Sequence, residues 1–207
     1  MERQINMEAA NFTAVNTSIE NRELDGKTVL RVVKKEKIEE PDENTYAKVK
    51  DLSFHNGIVE VNMLSRLLPD APAHARGFIG IAYRANETDS EFESFYVRPT
   101  NGRDCTDPVR RSHGCQYFSY PGYTFSYFRE FHITEYEAPV NIGLGEWIAL
   151  KAVIEDDRAE FYLNHEKEPV LVVDHMKHGI GSRGSVGIFV DIGTEAFIAD
   201  MKVTCLD

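Results

Sequence analysis

The chain has 207 residues, 42% hydrophobic and 28% charged, which suits one folded domain and is too apolar for a disordered chain. Asp and Glu outnumber Lys and Arg by 34 to 23, a net charge of −11, which argues against a nucleic-acid binder because phosphate recognition needs a basic face. No apolar stretch reaches membrane-spanning length, and Met1-Glu2-Arg3-Gln4-Ile5-Asn6 carries no apolar signal region. The expectation is therefore a single domain over 1–207, with no membrane partner, cytoplasmic unless another export route exists.

In chain order, period-2 alternation marks strands at 12–19, 27–34 and 46–54. Ile58-Val59-Glu60-Val61-Asn62-Met63 puts Val59, Val61 and Met63 on one face and Glu60 and Asn62 on the other. Phe78 to Arg84 groups Ile79, Ile81 and Tyr83, and Phe92 to Arg98 separates Phe95 and Val97 from Tyr96 and Arg98. Residues 147–155 align Ile148, Leu150, Ala152 and Ile154, Asp156-Asp157 turns, and 158–164 returns with Ala159, Phe161 and Leu163 inward. Strands at 170–174, 185–192 and 195–205 complete the chain. No window of helical length shows a 3.6-residue period. The charge run Lys34-Lys35-Glu36-Lys37 to Asn44 reads as a solvated loop. Many short strands with one polar face predict antiparallel sheets in a β-sandwich or barrel.

Residues 100–140 break the pattern and read as an insertion. Between Tyr117 and Tyr136 lie nine of the chain's aromatic residues, of which there are 1 Trp, 9 Tyr and 12 Phe in all. That density predicts a segment folded onto the body. Cys105, Cys115 and Cys205 are too few for a disulfide scaffold. Cys105 and Cys115 could pair in an exported protein, and without a visible signal reduced thiols are expected. Sequons at Asn11, Asn16 and Asn86 matter only to an exported chain.

Several landmarks in this order resemble the concanavalin A-like lectin/glucanase superfamily. They are Phe54-His55-Asn56-Gly57-Ile58-Val59-Glu60-Val61, Gly77 to Arg84, Gly145-Glu146-Trp147, Phe161-Tyr162-Leu163-Asn164, Gly184-Ser185-Val186-Gly187-Ile188 and Ala196 to Val203. Within it the chain is most similar to laminin-G-like domains and the 3-keto-disaccharide hydrolase-like group. The resemblance implies an all-β jelly roll of two antiparallel sheets with a carbohydrate-facing concave sheet, and it leaves binding and hydrolysis both open.

An open sheet face would carry Glu60, Asn62, Arg84, Tyr96, Arg98, Lys151 and Asp191. Sugars need planar hydrogen-bonding groups beside aromatic faces, which the 100–140 segment adds. The expected glycan site is Tyr96, Arg98, Asn101, Arg111, His113, Gln116 and Tyr117. The Glu-x-Asp-x-Glu strand of retaining glucanases is missing, since Asn62 in Glu60-Val61-Asn62 is no carboxylate. The alternative reading is a glycan-active hydrolase or lyase that uses His113 or an acid of the 100–140 segment, Glu130, Glu135 or Glu137, together with a residue of the concave sheet. A third reading makes the aromatic segment a protein interface, with a homo-oligomer through Tyr123 or Phe125. The resemblance also suggests a structural calcium at Asp200, with Glu8 or Asp25 as partner, against a simple pairing of Asp200 with a lysine.

Overall fold

Fifteen strands form among residues 1–36 and 39–206, which a computed structural model describes; Lys37, in the charge run, lies outside them. They are β1 (Glu2–Ile5), β2 (Phe12–Val15), β3 (Thr17–Leu24), β4 (Lys27–Lys34), β5 (Tyr46–Val49), β6 (Gly57–Leu67), β7 (Ile79–Ala85) and β8 (Phe92–Val97). Then follow β9 (Cys115–Tyr120), β10 (Glu137–Ala138), β11 (Ile148–Glu155), β12 (Arg158–Leu163), β13 (Leu171–Val173), β14 (Ser185–Val190) and β15 (Thr194–Cys205). Two short helices, α1 (Pro108–Ser112) and α2 (Phe125–Glu130), lie in the 100–140 segment. No helix among the described residues is long and apolar enough to cross a membrane.

All pairings are antiparallel, in two sheets. One runs β13-β12-β11-β6-β15-β4-β3, with β1 also on β15; its outer face is open. The other runs β10-β9-β8-β7-β14-β5-β2; its outer face is roofed. The inner faces meet in one core, where Phe161 of β12 stacks on Phe95 of β8 with ring centroids 4.1 Å apart. This is a two-sheet antiparallel sandwich, one of the architectures that alternation predicted and the one that the resemblance implies.

Three features depart from the sequence reading. The stretch 12–19 is not one strand: the chain leaves the roofed sheet after Val15, turns at Asn16 in the left-handed region (φ 48°), and enters the open sheet at Thr17. The Asn16 amide holds this corner by donating to Asn44 Oδ1 at 2.8 Å. The 100–140 segment is not wholly an insertion, because its residues 115–120 are β9, paired along the full length of β8. Alternation was invisible there because both faces of β9 are buried. The supposed common open face is split: Glu60, Asn62 and Lys151 lie outward on the open sheet, whereas Tyr96, Arg98 and Asp191 are buried on the roofed side. Arg84 is buried too, with its guanidinium donating to the carbonyls of His55 and Asp156.

All three cysteines are free thiols, and burial pushes Cys115 up to about 12. The three sequon amides each donate inside the fold: Asn11 to Asn6 O, Asn16 to Asn44 and Asn86 to Ser90 Oγ.

On the roofed sheet Tyr96, Gly80 and Phe189 form a cross-strand row over β8, β7 and β14. The rings of Tyr96 and Phe189 meet at 5.4 Å across Gly80, which has no side chain to part them. A Cβ there would sit 2.0 Å from Phe95 O and 2.6 Å from Tyr96 Cα. Gly80→Ala is expected to lower unfolding stability by about 2–3 kcal/mol in urea titration, as overpacking does in a rigid core; an unchanged midpoint would contradict this packing.

Candidate functional site

Five of the seven expected site residues converge on the outer face of the roofed sheet. Tyr96 and Gln116 are cross-strand partners, and Arg98 follows β8 directly. The Arg98 guanidinium donates to the Tyr96 hydroxyl (2.9 Å), to Gln116 Oε1, to Glu137 Oε1 (2.9 Å) and to His113 O (3.1 Å). Asn101 donates to the same carbonyl at 3.1 Å. His113 stands 3.0 Å from Glu137, and burial together with the guanidinium groups of Arg129 and Arg98 holds its imidazole below the usual value despite the pull of Glu137. Tyr117 departs from the set. It points into the core, where its hydroxyl donates to Glu93 Oε2 at 2.6 Å, because β9 alternates and Gln116 holds the outward position. Arg111 is exposed on α1 and enters no ion pair among the described residues. Glu130 is exposed at the end of α2.

This cluster is closed to solvent. Tyr96 and Gln116 are 1% and 0% exposed, which decides against free access. The roof is clasped by Asp42, whose Oδ2 accepts from Phe125 N at 2.7 Å and whose N–H donates to Asp191 Oδ2 at 3.0 Å. Asp191 is in turn paired with buried Lys34 at 2.5 Å. The aromatic segment is largely buried: Tyr117 in the core, Phe118 on the covered sheet face, and Phe128 and Tyr136 beyond β9, with Phe131 alone of the nine exposed.

The opposite face is different. The open sheet carries a groove of about 820 Å³, joined to a hollow of about 350 Å³, both sharing Asn62, Ala149, His165 and Asp200. Strand register builds it. Tyr162, Lys151, Glu60, Lys202 and Gln4 form one row across β12, β11, β6, β15 and β1. Ala149, Asn62 and Asp200 form the next. Asp200 reaches this face because Ala199 is an extra residue in β15: Ile198 pairs with Met63 and Asp200 with Asn62, so outward parity switches from odd to even positions.

Ala149 makes the hollow, because the same outward face carries Trp147 on one side and Lys151 on the other. Trp147 is half-buried against Leu64, Phe197 and Val29, and its Nε1 donates to Asp25 Oδ2 at 3.2 Å. Asn164 seals the floor, donating from its N–H to Ala149 O (2.7 Å) and accepting at Oδ1 from Ala149 N (3.0 Å). Sequence reasoning placed Glu60, Asn62 and Lys151 correctly outward but missed Trp147, Ala149, Tyr162 and His165. The step from Trp147 through Ala149 to Lys151 was the available signal.

Asp200 stands 3.4 Å from Asn62 Nδ2 and 3.9 Å from Lys27 Nζ, the lysine pairing weighed against calcium. Asp25 is committed to Trp147, and among the described residues no group of three or more His, Cys, Asp and Glu could hold a metal ion. This donor set does not fit a calcium shell.

No protein-family model matches this chain, and no curated protein matches it. Solved structures do share its fold. A carbohydrate binding module, CBM66, from Bacillus subtilis superposes with a TM-score of 0.62 at 14% identity, covering 94% of this chain and 96% of that one. A Bacillus subtilis protein of unknown function with a galectin-like fold gives 0.57 at 11%, covering 98% and 97%. A glycosidic hydrolase gives 0.54 at 11%, covering 98% and 95%. The chain thus shares the two-sheet β-sandwich fold of these proteins, one of them described as galectin-like.

Burial, and then the nearby Asp191, push the Asp42 carboxyl up to about 7 from 3.8, against the pull of Phe125 N–H, Arg98 and Tyr96. Because the folded value lies above the unfolded one, the folded state holds a proton that the unfolded chain releases. This contribution is complete below about 3.8 and is lost as pH rises to about 7. Asp42→Asn, which keeps an acceptor for Phe125 N, should flatten the stability profile over that window in pH-dependent urea unfolding. An unaltered slope would show that Asp42 does not carry it.

Proposed function

We propose that this protein binds a glycan in the groove of its open sheet. The observation that carries the reading is the hollow over Ala149, walled by an indole and by short planar polar groups. Trp147 is packed on one side and lines the hollow, so it supplies an apolar plate for the C–H face of a sugar ring. Asn62 and Asp200 supply a donor and acceptors for hydroxyl pairs beside it. The groove volume of about 820 Å³ lies within the usual range for small-ligand sites. The fold shared with a carbohydrate binding module is consistent with this reading.

Binding suits the groove better than hydrolysis. Glycoside cleavage uses one carboxyl as proton donor and a second as nucleophile or base. Glu60 is ion-paired with Lys202 at 2.6 Å and Asp200 stands 3.9 Å from Lys27, so neither carboxyl faces the groove without a cationic partner. The roofed cluster, by contrast, is closed to solvent and centred on Arg98, which is bonded to Tyr96, Gln116 and Glu137.

Titration calorimetry against a panel of oligosaccharides tests this. Trp147→Ala should weaken binding about tenfold, the scale of one aromatic contact, and Ala149→Phe should abolish it by filling the hollow. Binding unaffected by both, or no binding across the panel, would overturn the reading.

His165 adds a second test. It is a left-handed residue (φ 62°) after left-handed Asn164 (φ 52°), at a turn position where glycine is ordinary. Its imidazole lines both hollow and groove. His165→Gly should stabilise the fold by about 1 kcal/mol in thermal unfolding while weakening glycan binding. Unchanged affinity would remove His165 from the site.

A further inference from the structure

The charges in the groove are not evenly matched. Glu60 is neutralised by Lys202 at 2.6 Å, and Asp200 faces Lys27 at 3.9 Å. Lys151 lies between Glu60 on β6 and Tyr162 on β12 in the same cross-strand row, yet it forms no ion pair among the described residues. Its potential acid partners are committed elsewhere: Glu60 to Lys202, and Glu160 to Arg158 at 2.6 Å and to the Tyr162 hydroxyl. What Lys151 touches is the Tyr162 ring, with its ammonium 5.6 Å from the centroid. The side chain is exposed and lines the groove next to Ala149, so its charge is directed at whatever occupies the groove. Lys167 and His165 stand on the same flank, and Glu166 is the acid of that rim. In a chain with net charge −11, this flank of the groove sets two lysines, Lys151 and Lys167, against the one acid Glu166.

We propose that the groove selects acidic glycans, sugars bearing a carboxylate of the uronate type, with Lys151 as the residue that reads the charge. The proposal rests on the glycan reading of this groove and names its substrate class. The apolar plate of Trp147 and the polar groups of Asn62 and Asp200 hold the ring. Lys151, two residues along β11 from the hollow's floor, meets the carboxylate. Asp200 and Glu60, each beside its own lysine, do not repel that carboxylate as free acids would.

Matched ligands test the charge alone. Trimers of galacturonate, glucuronate and mannuronate are each titrated as the free acid and as the methyl ester, with neutral glucose, galactose and mannose trimers beside them. The free acid of at least one series should bind about tenfold more tightly than its ester, the scale of a charge-assisted hydrogen bond in a partly exposed site. The preference should shrink with added salt. Lys151→Met keeps the stem over Tyr162 and should erase the difference between acid and ester, and Lys151→Arg should retain it. Esters or neutral sugars binding as well as acids would overturn the acidic preference while leaving the glycan reading intact, as would a preference that survives Lys151→Met. Binding by no member of the panel would overturn both. Circular dichroism of each variant secures the comparison, and substitution at this exposed position is expected to leave the fold unchanged.

Discussion

One additional residue in β15 governs how the two faces of this sandwich differ. Strand β15 pairs with β6 along one edge, and with β4 and then β1 along the other. The extra residue, Ala199, sits where β4 ends and β1 takes over. Before it, Ala196 and Ile198 face the core; after it, Met201 and Val203 do. Without that change of parity, Asp200 and Lys202 would point into apolar packing at a cost no partner could offset. With it, they join Asn62 and Glu60 on the outer face, and the groove acquires its polar floor. The bulge is therefore both a packing solution and the device that aims functional groups.

The opposite sheet solves a different problem. Its outer face carries Tyr96, Phe118, Phe189 and Gln116, a surface that would be costly in water if left bare. The 39–45 segment and α2 cover it, and beneath them Arg98 bonds the Tyr96 hydroxyl, Gln116 Oε1 and Glu137, while Gln116 Nε2 has no hydrogen-bond partner among the described residues. The buried charges alternate in sign, with Lys34 on Asp191 and Arg98 on Glu137. Asp42 is the exception, a carboxyl whose raised proton affinity follows first from burial and then from the nearby Asp191. The roof is thus closed by groups that need one another, which is why the face richest in sugar-compatible side chains is the one a sugar does not reach.

Much of the fold was legible in the residues. Of the strands expected by alternation, β4 matches its expected range, and β6, β7, β8, β11, β12 and β15 follow within a few residues. In β4, β6, β11, β12 and β15 one face is core and the other more exposed, whereas β7 and β8 are buried throughout. The misses share one cause. β9 is buried on both faces, so its residues carry no period; the corner at Asn16 interrupts no alternation, so a single run concealed two strands of different sheets. For the site, outward-facing Glu60, Asn62 and Lys151 were readable from parity. The combination with Trp147, Tyr162 and Asp200 was not, because it depends on which strands lie side by side.

Local chemistry along the chain was enough to determine the class of the fold, the identity of most strands and which side chains each strand turns outward, since backbone geometry imposes a period of two on every strand. Which outward faces remain outward was decided by tertiary structure alone. Tyr96 and Lys151 have the same standing in sequence, each a polar residue alternating with apolar ones. Tyr96 is buried because 39–45 and α2 fold over it, and Lys151 is open because nothing crosses its sheet. That difference comes from contacts between segments 50 or more residues apart, such as Asp42 with Phe125, and no local pattern contains it.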